Sequence, residues 1–193
     1  MSRHRATGFA VISVLLAFVA SLLVGAAPAH ATEVDKTIGY RCSSDFGSGA
    51  SAVRVRVTIP DQVAAGATVP ARKIRFSIKV PADMVRVLRQ YGVDSVSATG
   101  RAHFTVGSLK RRIRHLRIPD TNVPNSGGMT LKGSGRASSF TLTEAGTYAV
   151  KVTKSLTATA TAHGGIGDGS SVDLTCSVRR GQSRTLASLQ VVS

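Results

Sequence analysis

Ser51-Ala52-Val53-Arg54-Val55-Arg56-Val57-Thr58-Ile59 and Lys73-Ile74-Arg75-Phe76-Ser77-Ile78-Lys79-Val80 are the stretches whose reading decides the fold. In the first, Val53, Val55, Val57 and Ile59 occupy every second position, with Arg54, Arg56 and Thr58 between them. The second repeats the pattern with Ile74, Phe76, Ile78 and Val80 against Lys73, Arg75, Ser77 and Lys79. Side chains of a strand alternate between its faces, so both stretches predict half-buried strands with an apolar inner face and a largely basic outer one. The interval from Pro60 to Ala71 is long enough for the two strands to be antiparallel neighbours or to lie in different sheets.

Working outward, strand patterns recur near 36–43, 95–106, 111–118, 136–142, 147–161, 171–179 and 185–192, with Gly and Pro between nearly all of them. No internal repeat or low-complexity linker interrupts them. Many strands and almost no helix argue for a sandwich or a barrel, and the fold expected is mostly β, a two-sheet immunoglobulin-like sandwich. One short helix is expected at about 81–91. Pro81 suits its first position, Asp83 its first turn and Arg89 its last, and Gly92 suits its stop. Its stripe Met84, Val87, Leu88 and Tyr91 is expected to face the body, so that the helix caps one end of the sandwich.

Upstream, Arg3, His4 and Arg5 precede an apolar run from Phe9 to Val24, which closes in Ala29-His30-Ala31. A basic head, an apolar run and small residues in A-x-A spacing read as a secretory signal peptide spanning 1–31, expected to be helical and cleaved after Ala31. The run also approaches the roughly 20 residues that span a bilayer, but the processing site favours cleavage over a retained anchor. Residues 32–193 then form a single domain, and membrane contact is expected only through the leader. With no apolar or wall-sorting segment at the C-terminal end, any retention at the cell surface is expected to be non-covalent.

Export makes the two cysteines informative, because disulfides persist in oxidising compartments. Period-two counting puts Tyr40 and Cys42 on one face and Leu174, Cys176 and Val178 on another, so both sulfurs point into the core. A Cys42–Cys176 bridge is expected to pin the first strand to the penultimate one, contributing roughly 4 to 5 kcal/mol in the chain-entropy treatment of so long a loop. With no tryptophan in the chain, the cysteine–tryptophan core of antibody domains is excluded.

Tyr40-x-Cys42, Val57-x-Ile59-Pro60-x-x-Val63-x-x-Gly66, the Val80-Pro81 helix ending at Gly92, Gly146-x-Tyr148 and Val172-Asp173-Leu174-x-Cys176 together resemble a family of secreted actinobacterial domains of unknown function. The resemblance covers most of residues 32–193 and rests on the order of the motifs. It implies an extracytoplasmic β-sandwich of immunoglobulin-like type. That family carries no assigned activity, so no functional residue transfers.

Chemistry is sparse. No serine lies in a G-x-S-x-G elbow, and His163-Gly164-Gly165-Ile166-Gly167-Asp168-Gly169 sits between strand patterns as a hairpin does. The histidines are scattered and the cysteines are taken by the disulfide, so no metal site is expected. No carboxylate pair, Walker pattern or dinucleotide glycine pattern appears, and neither enzymatic activity nor a cofactor is expected.

Charge is the strongest remaining feature. The chain has 25 Lys and Arg against 10 Asp and Glu, and removing the leader with its two arginines leaves +13. The densest run is Lys110-Arg111-Arg112-Ile113-Arg114-His115-Leu116-Arg117. Lys110, Arg111, Arg112, Arg114 and Arg117 are the expected anion-binding residues, with Arg54, Arg56, Lys73, Arg75 and Lys79 as a second basic face if their strands adjoin. Without interleaved aromatics, specific nucleic-acid recognition is not expected. The function expected is a secreted, non-enzymatic binding or structural domain that associates with anionic components of the cell envelope, such as wall polymers, through its basic surface. The alternative is an extracellular protein-interaction module whose basic run serves only solubility and protection of an exposed edge strand.

Overall fold

The structure, a computed structural model, describes residues 30–45 and 47–193. The signal peptide expected at 1–31 lies almost entirely outside the described residues. Among the described residues thirteen strands are formed: β1 (Ala31–Ser44), β2 (Gly47–Pro60), β3 (Gln62–Ala64), β4 (Thr68–Val69), β5 (Arg72–Val80), β6 (Ser95–Val106), β7 (Leu109–Asn122), β8 (Met129–Ala137), β9 (Phe140–Thr141), β10 (Gly146–Val152), β11 (Ser155–His163), β12 (Ser171–Val178) and β13 (Thr185–Val192). The α-helix α1 (Ala82–Gln90) joins β5 to β6.

The expected two-sheet sandwich is not what forms. The strands run β11-β12-β1-β2-β5-β8-β7-β6, every neighbouring pair antiparallel, and β11 pairs again with β6 to close the ring. The fold is an eight-stranded antiparallel β-barrel. Closure turns on β6, whose first half pairs with β11 from Ser95↔His163 to Arg101↔Thr157, while its end pairs with β10 at Phe104↔Val152 and Val106↔Val150. From β10 the sheet continues beyond the eight ring strands to β13 and to the short strand β3, parallel to β13, and Val150 and Leu189 of this extension pack into the core. Alternation is identical in a sandwich and a barrel. What differs is curvature, and register shifts in β6–β7 and β7–β8 supply it, as bulges do by bending the strand that carries the extra residue.

The open interval between β2 and β5 resolves in favour of adjacency, with Val53↔Ile78 and Arg56↔Arg75 paired directly. The disulfide forms between Cys42 and Cys176, which face each other across β1 and β12. It therefore links neighbours within one sheet, unlike the inter-sheet bridge of an immunoglobulin domain.

The bottom of the barrel is filled by Val55, Val57, Ile74, Phe104, Val106, Phe140 and Leu189, with Phe104 and Phe140 edge-to-face at 6.1 Å. At the other end Val85 of α1 packs with Val93, Val123 and Met129. The helix caps this end, but with a narrower stripe than expected. Val85 is buried and Leu88 half-buried, whereas Met84, Val87 and Tyr91 are 51%, 43% and 61% exposed. A short helix lying on the rim touches the barrel along a single line, so one residue per turn satisfies it.

Candidate anion-binding face and an apolar interior

β7 carries the basic run, and the ladder sorts its residues. Lys110 pairs with Thr105, Arg111 with Phe104, Arg112 with His103 and Ile113 with Ala102. Directly paired residues share a face, and Phe104 is buried in the core, so Arg111 lies on the inward face while Lys110, Arg112 and Arg114 lie outside. His115, at φ 51, takes up the extra residue of a bulge. Beyond it Leu116 pairs with Gly100 and Arg117 with Thr99, which returns Leu116 inward and Arg117 outward. Because β7 lies between β6 and β8 in a closed ring, it is not an edge, and edge protection does not explain its charge.

The second basic face adjoins the first. Across β8, Arg114 pairs with Arg136, and Arg136 in turn with Lys73 of β5. Arg75 pairs with Arg56 of β2, and Lys132 with Ser77. Like charges directly opposite in a sheet are unfavourable, and here they recur across four adjoining strands. Asp35 of β1 offsets part of this, accepting bonds from Arg54 Nε and Nη2 at 2.6 Å and from Arg56 Nε at 2.9 Å. The bond from Arg54 chiefly, with help from Arg56, lowers the Asp35 pKa to about 2 against the opposing effect of burial. His103 lies on the same face, and burial first, then Lys110 and Arg112, lower its pKa. Protonation there is disfavoured by burial first and by the two neighbouring cations second.

Sequence reasoning missed Lys132 and Arg136. They alternate on β8 with Gly133 and Gly135, so the inner positions carry no apolar signature.

Inside the barrel, a cavity of about 410 Å³ remains. Its cause is compositional. Inward positions on β6 hold Ala98, Gly100 and Ala102, and those on β11 hold Ala158 and Ala160, all lining the space. On β8, a Cβ on Gly133 would fall 2.1 Å from Cζ of Phe76, so only glycine lets that ring lie across the strand. Small residues on three strands face Val, Ile and Phe on β2 and β5, and an eight-stranded ring has too much interior for that set to fill.

One grouping resembles a catalytic triad. Ser97 Oγ lies 2.9 Å from His163 Nε2, and Asp120 Oδ1 lies 3.9 Å from the same nitrogen. A relay needs the carboxylate on the opposite ring nitrogen, so this arrangement cannot pass a proton from serine through histidine. The expected hairpin at His163–Gly169 does join β11 to β12. Among the described residues no group of three His, Cys, Asp or Glu could hold a metal ion. No helix among them is long and apolar enough to cross a membrane.

No curated protein and no solved structure matches the chain. A family model does match residues 39–187, from β1 into β13 and thus all eight strands of the ring, and the chain belongs to that family, the family of unknown function DUF6801.

Proposed function

We propose that this chain is an exported, non-enzymatic binding domain that associates with anionic polymers of the cell envelope through the outer face of β2, β5, β8 and β7. One observation carries the reading: cations from four adjoining strands stand on one face, several directly opposite one another, with Asp35 as the carboxylate that ion-pairs with them among the described residues. Such a surface holds counterions at an entropic cost, and a polyanion that displaces them gains their release. Export is supported by the leader pattern at 1–31, and an actinobacterial source by the motif resemblance. Sedimentation with purified wall material at rising salt tests the proposal. Retention at low ionic strength with release on adding salt is expected, and no retention at low salt refutes it.

A protein partner is the second reading. It is favoured by Met84, Val87 and Tyr91, exposed on α1 beside the exposed Ile166, whose amide bonds to the Tyr91 carbonyl at 3.2 Å. Arg112→Ser with Arg114→Ser separates the two, because polymer binding loses its salt-sensitive component while docking on an apolar rim does not.

A further inference from the structure

We propose that the barrel interior binds a single-chain amphipath, its apolar chain in the cavity and its anionic headgroup against Arg72 and Arg111. This site is separate from the outer face and does not rest on it.

The cavity lies within the roughly 300–1,000 Å³ typical of small-molecule sites, and its wall is almost wholly apolar. It extends from Met84 and Pro81 at the helix end to Val69, Phe140 and Arg72 at the other. An elongated apolar space suits an alkyl chain. Arg72 is the charged residue at its far end. It lies on the inward parity of β5, with Ile74 buried two positions on, and it lines the cavity.

A second observation concerns Arg72 and its neighbours. Among the described residues, the buried side-chain nitrogen and oxygen atoms without a hydrogen-bond partner are Arg72 Nε, Arg111 Nε and Ser138 Oγ. They are not scattered. Arg72 pairs with Ala137, Ala137 pairs with Ile113, Arg111 lies two positions along on the same face of β7, and Ser138 follows Ala137. Buried donors without partners are costly and rare, and of the three residues Arg72 lines the cavity, so a headgroup at that end can satisfy Arg72 Nε, with inward-facing Arg111 beside it along the ladder. Guanidinium groups hold carboxylate or phosphate oxygens through paired N–H donors, which fixes the headgroup as an oxyanion.

The test uses the full folded chain and calorimetric titration with saturated carboxylates from octanoate to hexadecanoate, with 1-dodecanol and acetate as comparisons. Affinity is expected to tighten about fourfold per methylene until the cavity is full. Dodecanoate is expected to bind at least about tenfold more tightly than dodecanol, as bonds to a charged group should provide. In Arg72→Met with Arg111→Met that preference disappears while dodecanol binding persists, and filling the space by Ala160→Phe abolishes both. Lys110→Ser, Arg112→Ser and Arg114→Ser together leave dodecanoate binding unchanged, which separates this site from the outer face. Absence of chain binding by the intact protein overturns the proposal. So does acetate binding as tightly as dodecanoate, which marks a free-anion site, or a carboxylate preference that survives loss of both arginines.

Discussion

Replacing Gly133 with alanine probes the closed barrel at a close approach inside the ring, where Phe76 lies over the strand. The new Cβ would stand 2.1 Å from Phe76 Cζ and 2.6 Å from both Cε atoms, directly against the ring. Gly133 is not among the positive-φ glycines, so alanine meets no backbone strain, and its lower unfolded-state freedom favours folding by about 0.5–1 kcal/mol. Displacing the ring costs about 1–3 kcal/mol, toward the lower end because the cavity beside Phe76 gives it room to swing. The net expectation is a loss of about 1 kcal/mol, or roughly 2–4 °C in Tm for a domain of this size. In a Phe76→Ala background the clash is gone, so Gly133→Ala should become stabilising by about 0.5–1 kcal/mol. The double-mutant cycle, read from urea unfolding of the four proteins, should then show a coupling of about 1–3 kcal/mol. A coupling below about 0.5 kcal/mol would refute the placement of Gly133 and Phe76 against each other inside the ring.

The disulfide closes a sequence separation of 134 residues, so Cys42→Ala with Cys176→Ala should cost up to about 5 kcal/mol in denaturant unfolding. A loss below about 1 kcal/mol would show that the bridge adds little to the β1–β12 ladder. Asp35 has its pKa lowered from the ordinary 3.8 to about 2, so its ion pairs are fully present above pH 3.8 and are lost as pH falls through about 2. An NMR titration should place its midpoint near 2 and show it rising in Arg54→Gln; a midpoint at the ordinary value in both contradicts the pairing. His103 should titrate below its ordinary 6.5, and removing the cations at Lys110 and Arg112 should raise the midpoint part of the way, since burial is the larger cause.

Local structure was largely legible in the residues. The strands expected at 95–106 and 185–192 form with those bounds, because β-branched alternation between Gly and Pro breaks leaves few other conformations. The Cys42–Cys176 pairing followed from the presence of two cysteines in a chain read as exported, and parity counting turned both toward the core. Closure did not follow, because it depends on β11 finding β6, a contact between distant segments that alternation does not encode. The first part of β8 was missed for a related reason, its inner positions being Gly133 and Gly135. On the candidate site, the run at 110–117 was visible as charge, but its division was not. The ladder turns Arg111 toward the interior and Lys110 and Arg112 outward, and the bulge at His115 keeps both Arg114 and Arg117 outside. The helix stripe failed because propensity and spacing locate a helix but not the line along which it touches its neighbours.

The most direct test of the basic face is the salt dependence of binding to duplex DNA, used as a polyphosphate of known charge density. Each arginine that meets phosphate contributes about 0.9 to the magnitude of the slope of log K against log salt. Arg112→Ser with Arg114→Ser should therefore lower that magnitude by about 1.8, whereas Arg111→Ser should leave it unchanged. Equal slopes for the parent chain and the outer-face variant, or a loss on Arg111→Ser as large as on Arg112→Ser, would contradict the assignment of the outer face as the binding surface.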